Sequence, residues 1–225
     1  MNTKHLMILA TVASAAMSLL SASAALAQDA APAPVSPADA QWAEYKAIST
    51  CEWCHGPRGN SISPIYPALA GQKAWYITEQ LQAFRAQTRR DPYAMGMMWG
   101  MAAQLTDTQI AALADYFSKQ RPPFASKPSP FTGGAKKAAE ISHGKSIYND
   151  GVPATGVPPC SACHQAGAEG SDQFPRLAGQ HALYTIKQLI ALHNGTREQV
   201  VMNGVAAPLK EPEMKAVAFY LESIH

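Results

Sequence analysis

Residues 51–55 read Cys-Glu-Trp-Cys-His and residues 160–164 read Cys-Ser-Ala-Cys-His, and these two runs hold all four cysteines of the chain. Two thiols three positions apart lie on one side of a helical turn, and the histidine that follows sets an imidazole beside them. Three chemistries compete for such a set. Cys51 with Cys54, or Cys160 with Cys163, could close a disulfide of structural or redox use, but such a pair gives no reason for the adjacent histidine. A structural zinc ion wants four ligands, and each run offers three. Covalent attachment of a c-type haem uses every residue of the set. The four cysteines would bind two porphyrins through their vinyl groups, with His55 and His164 as axial iron ligands.

The two runs are parts of a longer repeat. After the first come YPALAGQ (66–72), YITEQL (76–81) and Thr88-Arg89; after the second come FPRLAGQ (174–180), YTIKQL (184–189) and Thr196-Arg197. From the LAGQ blocks to the Thr-Arg pairs the offset is a constant 108 residues. Past a short indel, MWGMAAQL (98–105) aligns with MNGVAAPL (202–209), and each unit closes on an aromatic-rich segment, QIAALADYF and MKAVAFYL. Colinear matches in this order mean two copies of one module.

The elements that must position these residues read as helices. Leu81 and Phe84, and Leu113, Tyr116 and Phe117, fall at three- and four-residue spacings. Thr106-Asp-Thr-Gln109 fits a capping box, and Pro212 stands where a first-turn proline is tolerated. No long alternating strand pattern appears, so the expected fold class is all-α. Each module is small, and a bulky group inside it would thicken a thin core.

The ends and the charge bound the class further. Residues 1–27 carry Lys4, an apolar run and Ala25-Leu26-Ala27, the layout of a signal peptide cut after Ala27. A retained anchor is the alternative, disfavoured by the short, Ser- and Thr-diluted run. Export to a bacterial periplasm follows. Residues 28–38 read as a flexible tail, 39–121 as the first module, 122–138 as a Pro/Gly/Ser-rich linker, and 139–225 as the second module. The net charge of +2 lacks the basic stripe of a nucleic-acid binder and predicts no strongly charged docking partner.

The sequence resembles the dihaem cytochrome c4 family of class I-like c-type cytochromes over nearly all of the mature chain. CEWCHGPRGNS, YPALAGQ and LTDTQIAALADYF carry the likeness in one half, and CSACH, FPRLAGQHALYTIKQL and VVMNGVAA in the other. The resemblance implies two tandem helical cytochrome c domains, each around a covalent haem c with His/Met axial ligands. It also implies an electron carrier between respiratory complexes, from a quinol-oxidising donor to a terminal oxidase or reductase, and not an enzyme. Association with the membrane surface would come through a protein partner or a retained leader. Two rivals are a cytochrome subunit of a larger dehydrogenase and a dihaem oxidoreductase acting on sulfur compounds.

Under this resemblance the sixth ligand of the second haem is Met202, because Met214 lies in the terminal helix as a core filler. A Gly-containing stretch before that helix suggests an extended loop crossing the far haem face. Met202 precedes Leu209 by seven positions, and seven before the matching Leu105 stands Met98. Met98 is therefore the first-module ligand, and Met101, aligned with Val205, reads as packing and is the main rival. Met95 and Met97 fall in the indel. Bis-His ligation of one site is a further alternative, though His143, His193 and His225 have no counterparts and His181 reads as a surface or haem-edge residue. By resemblance, the carbonyls of Pro67 and Pro175 would accept the ring N–H of the histidine ligands. Arg89, Arg197, Tyr76 and Tyr184 recur in register, either as propionate contacts or as helix-end charges and packed aromatics.

Overall fold

The computed structural model describes residues 34–122 and 134–224. The expected signal peptide, most of the expected tail and linker residues 123–133 lie outside the described residues. Among the described residues no helix is long and apolar enough to cross a membrane. Their only β structure is an isolated bridge between Val152 and Val157. The chain is mostly helical, as its periodicity requires.

In the first module α1 (Pro37–Lys46) packs on α3 (Asp107–Ser118), which also carries α2 (Ala74–Arg85). Helix α1 opens before the expected boundary at residue 39, because Ser36 caps Asp39 N–H and Pro37 pre-sets the first turn. Ile77 and Phe84 of α2 and Ile110, Leu113 and Phe117 of α3 form the core, with Leu81 and Tyr116 against its edge. The capping box is present: Thr106 Oγ1 accepts from Gln109 N, and Gln109 Oε1 accepts from Thr106 N.

The second module repeats this plan. Helix α4 (Gly134–Asp150), which starts inside the expected linker, packs on α7 (Glu211–Ser223), and α7 also meets α5 (Ala182–His193). A shorter helix, α6 (Val200–Ala206), precedes α7. Met214 is buried among Ile147, Tyr148, Val217 and Leu221, the core-filling role expected of it. Pro212 sits in the first turn of α7. The loops agree too, since Gly71 N–H donates to Phe117 O and Gly179 N–H to Leu221 O.

The two modules have separate cores yet form one compact body over Val35–His225. Gln72 and Gln180, which end the repeated LAGQ blocks, explain much of this. Gln180 Oε1 accepts from Ala68 N at 3.0 Å, and its Nε2 donates to Ala68 O at 3.0 Å. In mirror fashion Gln72 Oε1 accepts from Arg176 N at 2.9 Å, and its Nε2 donates to Arg176 O at 2.9 Å. Each side-chain amide thus satisfies both backbone groups of one residue across the interface. Trp75 adds a bond to Ser171 O and Lys187 one to Ile65 O.

Gly144 marks where α4 and α7 touch backbone to backbone. A Cβ there would stand 2.0 Å from the carbonyl oxygen of Ala216. Alanine would gain about 1 kcal/mol of helix propensity, but the forced separation costs roughly 1–3 kcal/mol. Gly144→Ala is expected to lower the thermal midpoint of the holoprotein, read by circular dichroism at 222 nm.

Candidate functional site

The two cysteine runs fold as short helical turns. Ala47–Cys51 is a π-helical turn that runs into an α-helical one, Glu52–His55, and Ser161–His164 is its counterpart with Cys160 as N-cap. Neither cysteine pair is joined as a disulfide in the structure. Burial raises the pKa of Cys51 and pushes Cys160 up to about 11.

His55 and His164 are buried at the ends of these turns. His55 Nδ1 lies 2.8 Å from Pro67 O, and His164 Nδ1 lies 2.9 Å from Pro175 O. The two proline carbonyls expected from the resemblance are therefore in place. Burial lowers the pKa of both imidazoles, against the pull of those carbonyls. A neutral ring facing a carbonyl through Nδ1 carries its proton there and keeps the Nε2 lone pair for a metal. Tyr66 and Phe174 pack edge-on to these rings, with centroids 6.3 and 6.0 Å away.

The methionine segments depart from the sequence expectation. Met202 lies in α6, not in an extended loop. Gln199 Oε1 caps Met202 N–H at 3.1 Å, and Asn203 Nδ2 donates to Leu192 O at 2.6 Å and Arg197 O at 2.9 Å. These bonds wind the segment and tie it to the end of α5. In the first module Ala94–Met98 forms a π-helical turn, which then continues as α-helix over Trp99–Ala102. There Trp99 Nε1 donates to Arg89 O at 2.8 Å. Trp99 follows Met98 as Asn203 follows Met202, and Arg89 and Arg197 are the repeated arginines. The same anchor, built from different side chains, holds both methionines in equivalent register.

Met98 and Met202 pack against the two cores. Met95, Met97 and Met101 are 49%, 43% and 56% exposed and line the cavity described below; Met101, unlike its counterpart Val205, is not packed on the apolar core. His181 is also corrected. It is buried, not superficial, and its Nε2 lies 2.8 Å from Ser61 O across the interface.

The repeated arginines are not helix-end charges. Arg89 and Arg197, 6% and 8% exposed, meet at the module interface. Arg89 Nε pairs with Asp91 at 2.7 Å, and its other nitrogens donate to Gln80 at 2.7 Å and Gln188 at 2.6 Å. Arg197 donates to Gln188 at 2.9 Å, to Tyr76 Oη at 2.6 Å and to Gln80 at 3.2 Å. The glutamines were not singled out from sequence, although their recurrence in YITEQL and YTIKQL carried the signal. The one carboxylate in these bonds, Asp91, pairs with Arg89, and Gln188, Tyr76 and Gln80, to which Arg197 donates, are neutral.

A mostly apolar cavity of about 1000 Å³ is lined by both cysteine pairs, both histidines, Met98, Met202 and the two arginines. Its donors suit haem c: free thiols on one side of a turn, a neutral imidazole beside them and apolar walls. An uncompensated buried cation is costly, and the cluster's spare positive charge suits an anionic group such as a porphyrin propionate.

Comparison with known proteins shows the family of the chain. The cytochrome c family model matches residues 25–120 and again 141–225. Cytochrome c-552 of Acidithiobacillus ferridurans is 42% identical over 195 residues, covering 86% of this chain and 81% of the relative. Cytochrome c4 of Thiocapsa roseopersicina is 40% identical over 192 residues, covering 83% and 93%. The solved structure of Acidithiobacillus ferrooxidans cytochrome c4 superposes with a TM-score of 0.71 at 41% identity, covering 78% of this chain and 99% of that one.

Asp91 is 3% exposed and, among the described residues, holds the only carboxylate paired with Arg89. Removing one partner of a buried pair leaves an uncompensated charge, at about 3–5 kcal/mol. Asp91→Asn is expected to lower the unfolding free energy of the holoprotein by an amount of that order, read from guanidinium-chloride transitions followed by Soret absorbance and circular dichroism together.

Proposed function

Since the chain belongs to the cytochrome c family, in its dihaem cytochrome c4 group, we propose that it carries single electrons through the periplasm between respiratory complexes. The donor is a quinol-oxidising complex and the acceptor a terminal oxidase or reductase. Two covalently attached haem c groups supply one Fe(III)/Fe(II) couple per module.

The protein's residues do the rest. Cys51 and Cys54 bind one haem, Cys160 and Cys163 the other. His55 and His164 present Nε2 to the iron, each ring fixed by its proline carbonyl. Met98 and Met202 would be the second protein ligands of the two irons, neutral thioethers that favour the reduced state and raise the potential. The apolar cavity limits water at the iron and so limits reorganisation when its charge changes.

The observation that carries this reading is the matched anchoring of Met98 and Met202 through Trp99–Arg89 and Asn203–Arg197. It supports a methionine for both irons, with no position left open for a substrate. A carrier needs that closure, whereas an oxidoreductase of sulfur compounds needs one labile site.

A redox titration of the purified holoprotein with optical spectra tests it. Two covalent low-spin haems are expected, each with a Met–Fe(III) charge-transfer band. A high-spin haem, or one that readily binds carbon monoxide, would refute the carrier reading. Met98→Leu and Met202→Leu are each expected to remove the band of one haem. Met101→Leu is expected to leave both.

A further inference from the structure

The carbonyl that accepts each histidine proton is half of a peptide group whose N–H belongs to the next residue. In the first module that group joins Pro67 C=O to Ala68 N–H, and Ala68 N–H donates to Gln180 Oε1 at 3.0 Å. In the second it joins Pro175 C=O to Arg176 N–H, and Arg176 N–H donates to Gln72 Oε1 at 2.9 Å. Each imidazole is therefore linked, through one peptide group, to a glutamine of the other module.

We propose that Gln180 tunes the potential of the first-module haem and Gln72 that of the second, as positioning residues acting across the interface. This rests on the dihaem reading with His55 and His164 as iron ligands. An N–H that donates polarises its peptide group, and the carbonyl at the other end becomes a better acceptor. Hydrogen bonds in such chains strengthen one another by about 10–30% per bond. A stronger bond from Nδ1–H gives the imidazole more anionic character and makes Nε2 a better donor, which favours Fe(III). Each glutamine thus holds the potential of the opposite haem down.

Position adds to electronics. The Nε2 of each glutamine also binds the carbonyl of the same residue, Ala68 O at 3.0 Å and Arg176 O at 2.9 Å. Two bonds from one side-chain amide hold Ala68 or Arg176 by both of its flanking peptide groups, the first of which carries the carbonyl that orients the imidazole. The device is copied in the repeat, Gln72 and Gln180 standing 108 residues apart. Each Oε1 also accepts from the next N–H of its own chain segment, Lys73 N at 2.9 Å and His181 N at 3.1 Å. A purely local role would therefore act on the glutamine's own module.

That difference makes the test. Gln180→Met and Gln72→Met keep side-chain length and remove the amide. Spectroelectrochemistry of the holoprotein, with each haem assigned by the paramagnetic NMR shifts of its methyl groups, reads both potentials. Gln180→Met is expected to raise the first-module potential and move its methyl shifts, with a smaller change in the second; Gln72→Met is expected to do the reverse. A shift in the own-module haem, an equal shift of both haems in each variant, or no shift would overturn the proposal. Should either methionine variant load fewer than two haems, Gln→Asn at the same position keeps an amide but falls one carbon short, and the same pattern decides. A wild-type protein with fewer than two covalent haems would instead refute the dihaem reading.

Discussion

A single hydrogen bond from a buried imidazole to a proline carbonyl fixes each candidate haem ligand, and much of the fold serves to hold that carbonyl still. Proline restricts its own backbone, and the residue after it is clamped from the other module by a glutamine amide. The loop that carries the proline is pinned to the last helix of its own module by the Gly71–Phe117 and Gly179–Leu221 bonds. A mispointed ring would leave a neutral imidazole buried without a partner for Nδ1. The cost of an unsatisfied buried group is therefore what ties the cysteine turns, the LAGQ loops and the module interface into one unit.

The duplication is conserved in plan and relaxed in detail. Both modules use a terminal helix as the platform for two others, and both present cysteines, histidine and methionine to the same cavity. The anchor of the methionine segment is an indole in one copy and an amide in the other, because the only requirement is an N–H that reaches the carbonyl of the repeated arginine. Asp91 has no acidic counterpart two residues beyond Arg197, where Gln199 stands instead. The interface cluster is thus near-symmetric in its hydrogen bonds and asymmetric in its charge.

That cluster also explains why the modules behave as one body although their apolar cores are separate. Arg89 reaches Gln188, and Arg197 reaches Gln80 and Tyr76, so neither guanidinium is satisfied within its own module. Separating the modules would cost Arg89 its bond to Gln188 and Arg197 its bonds to Tyr76 and Gln80. Lying beside the cavity, the two arginines would suit anionic groups such as the propionates of two haems.

The cysteine runs, the histidines, the repeat and the helical class were all legible in the sequence, because covalent attachment and amphipathic packing depend on residue type at short spacing. The equivalence of Met98 and Met202 was legible as well, through register against Leu105 and Leu209. The conformation of those segments was not. Gln199 and Asn203 wind Met202 into a helix through side-chain bonds whose partners lie as far off as Leu192 in sequence. Nor could spacing reveal that His181 is buried against Ser61, that Met101 stands off the apolar core, or that Gln72 and Gln180 clamp each other's modules. Those facts belong to the tertiary structure, because each depends on which backbone groups two distant segments leave unsatisfied when they meet.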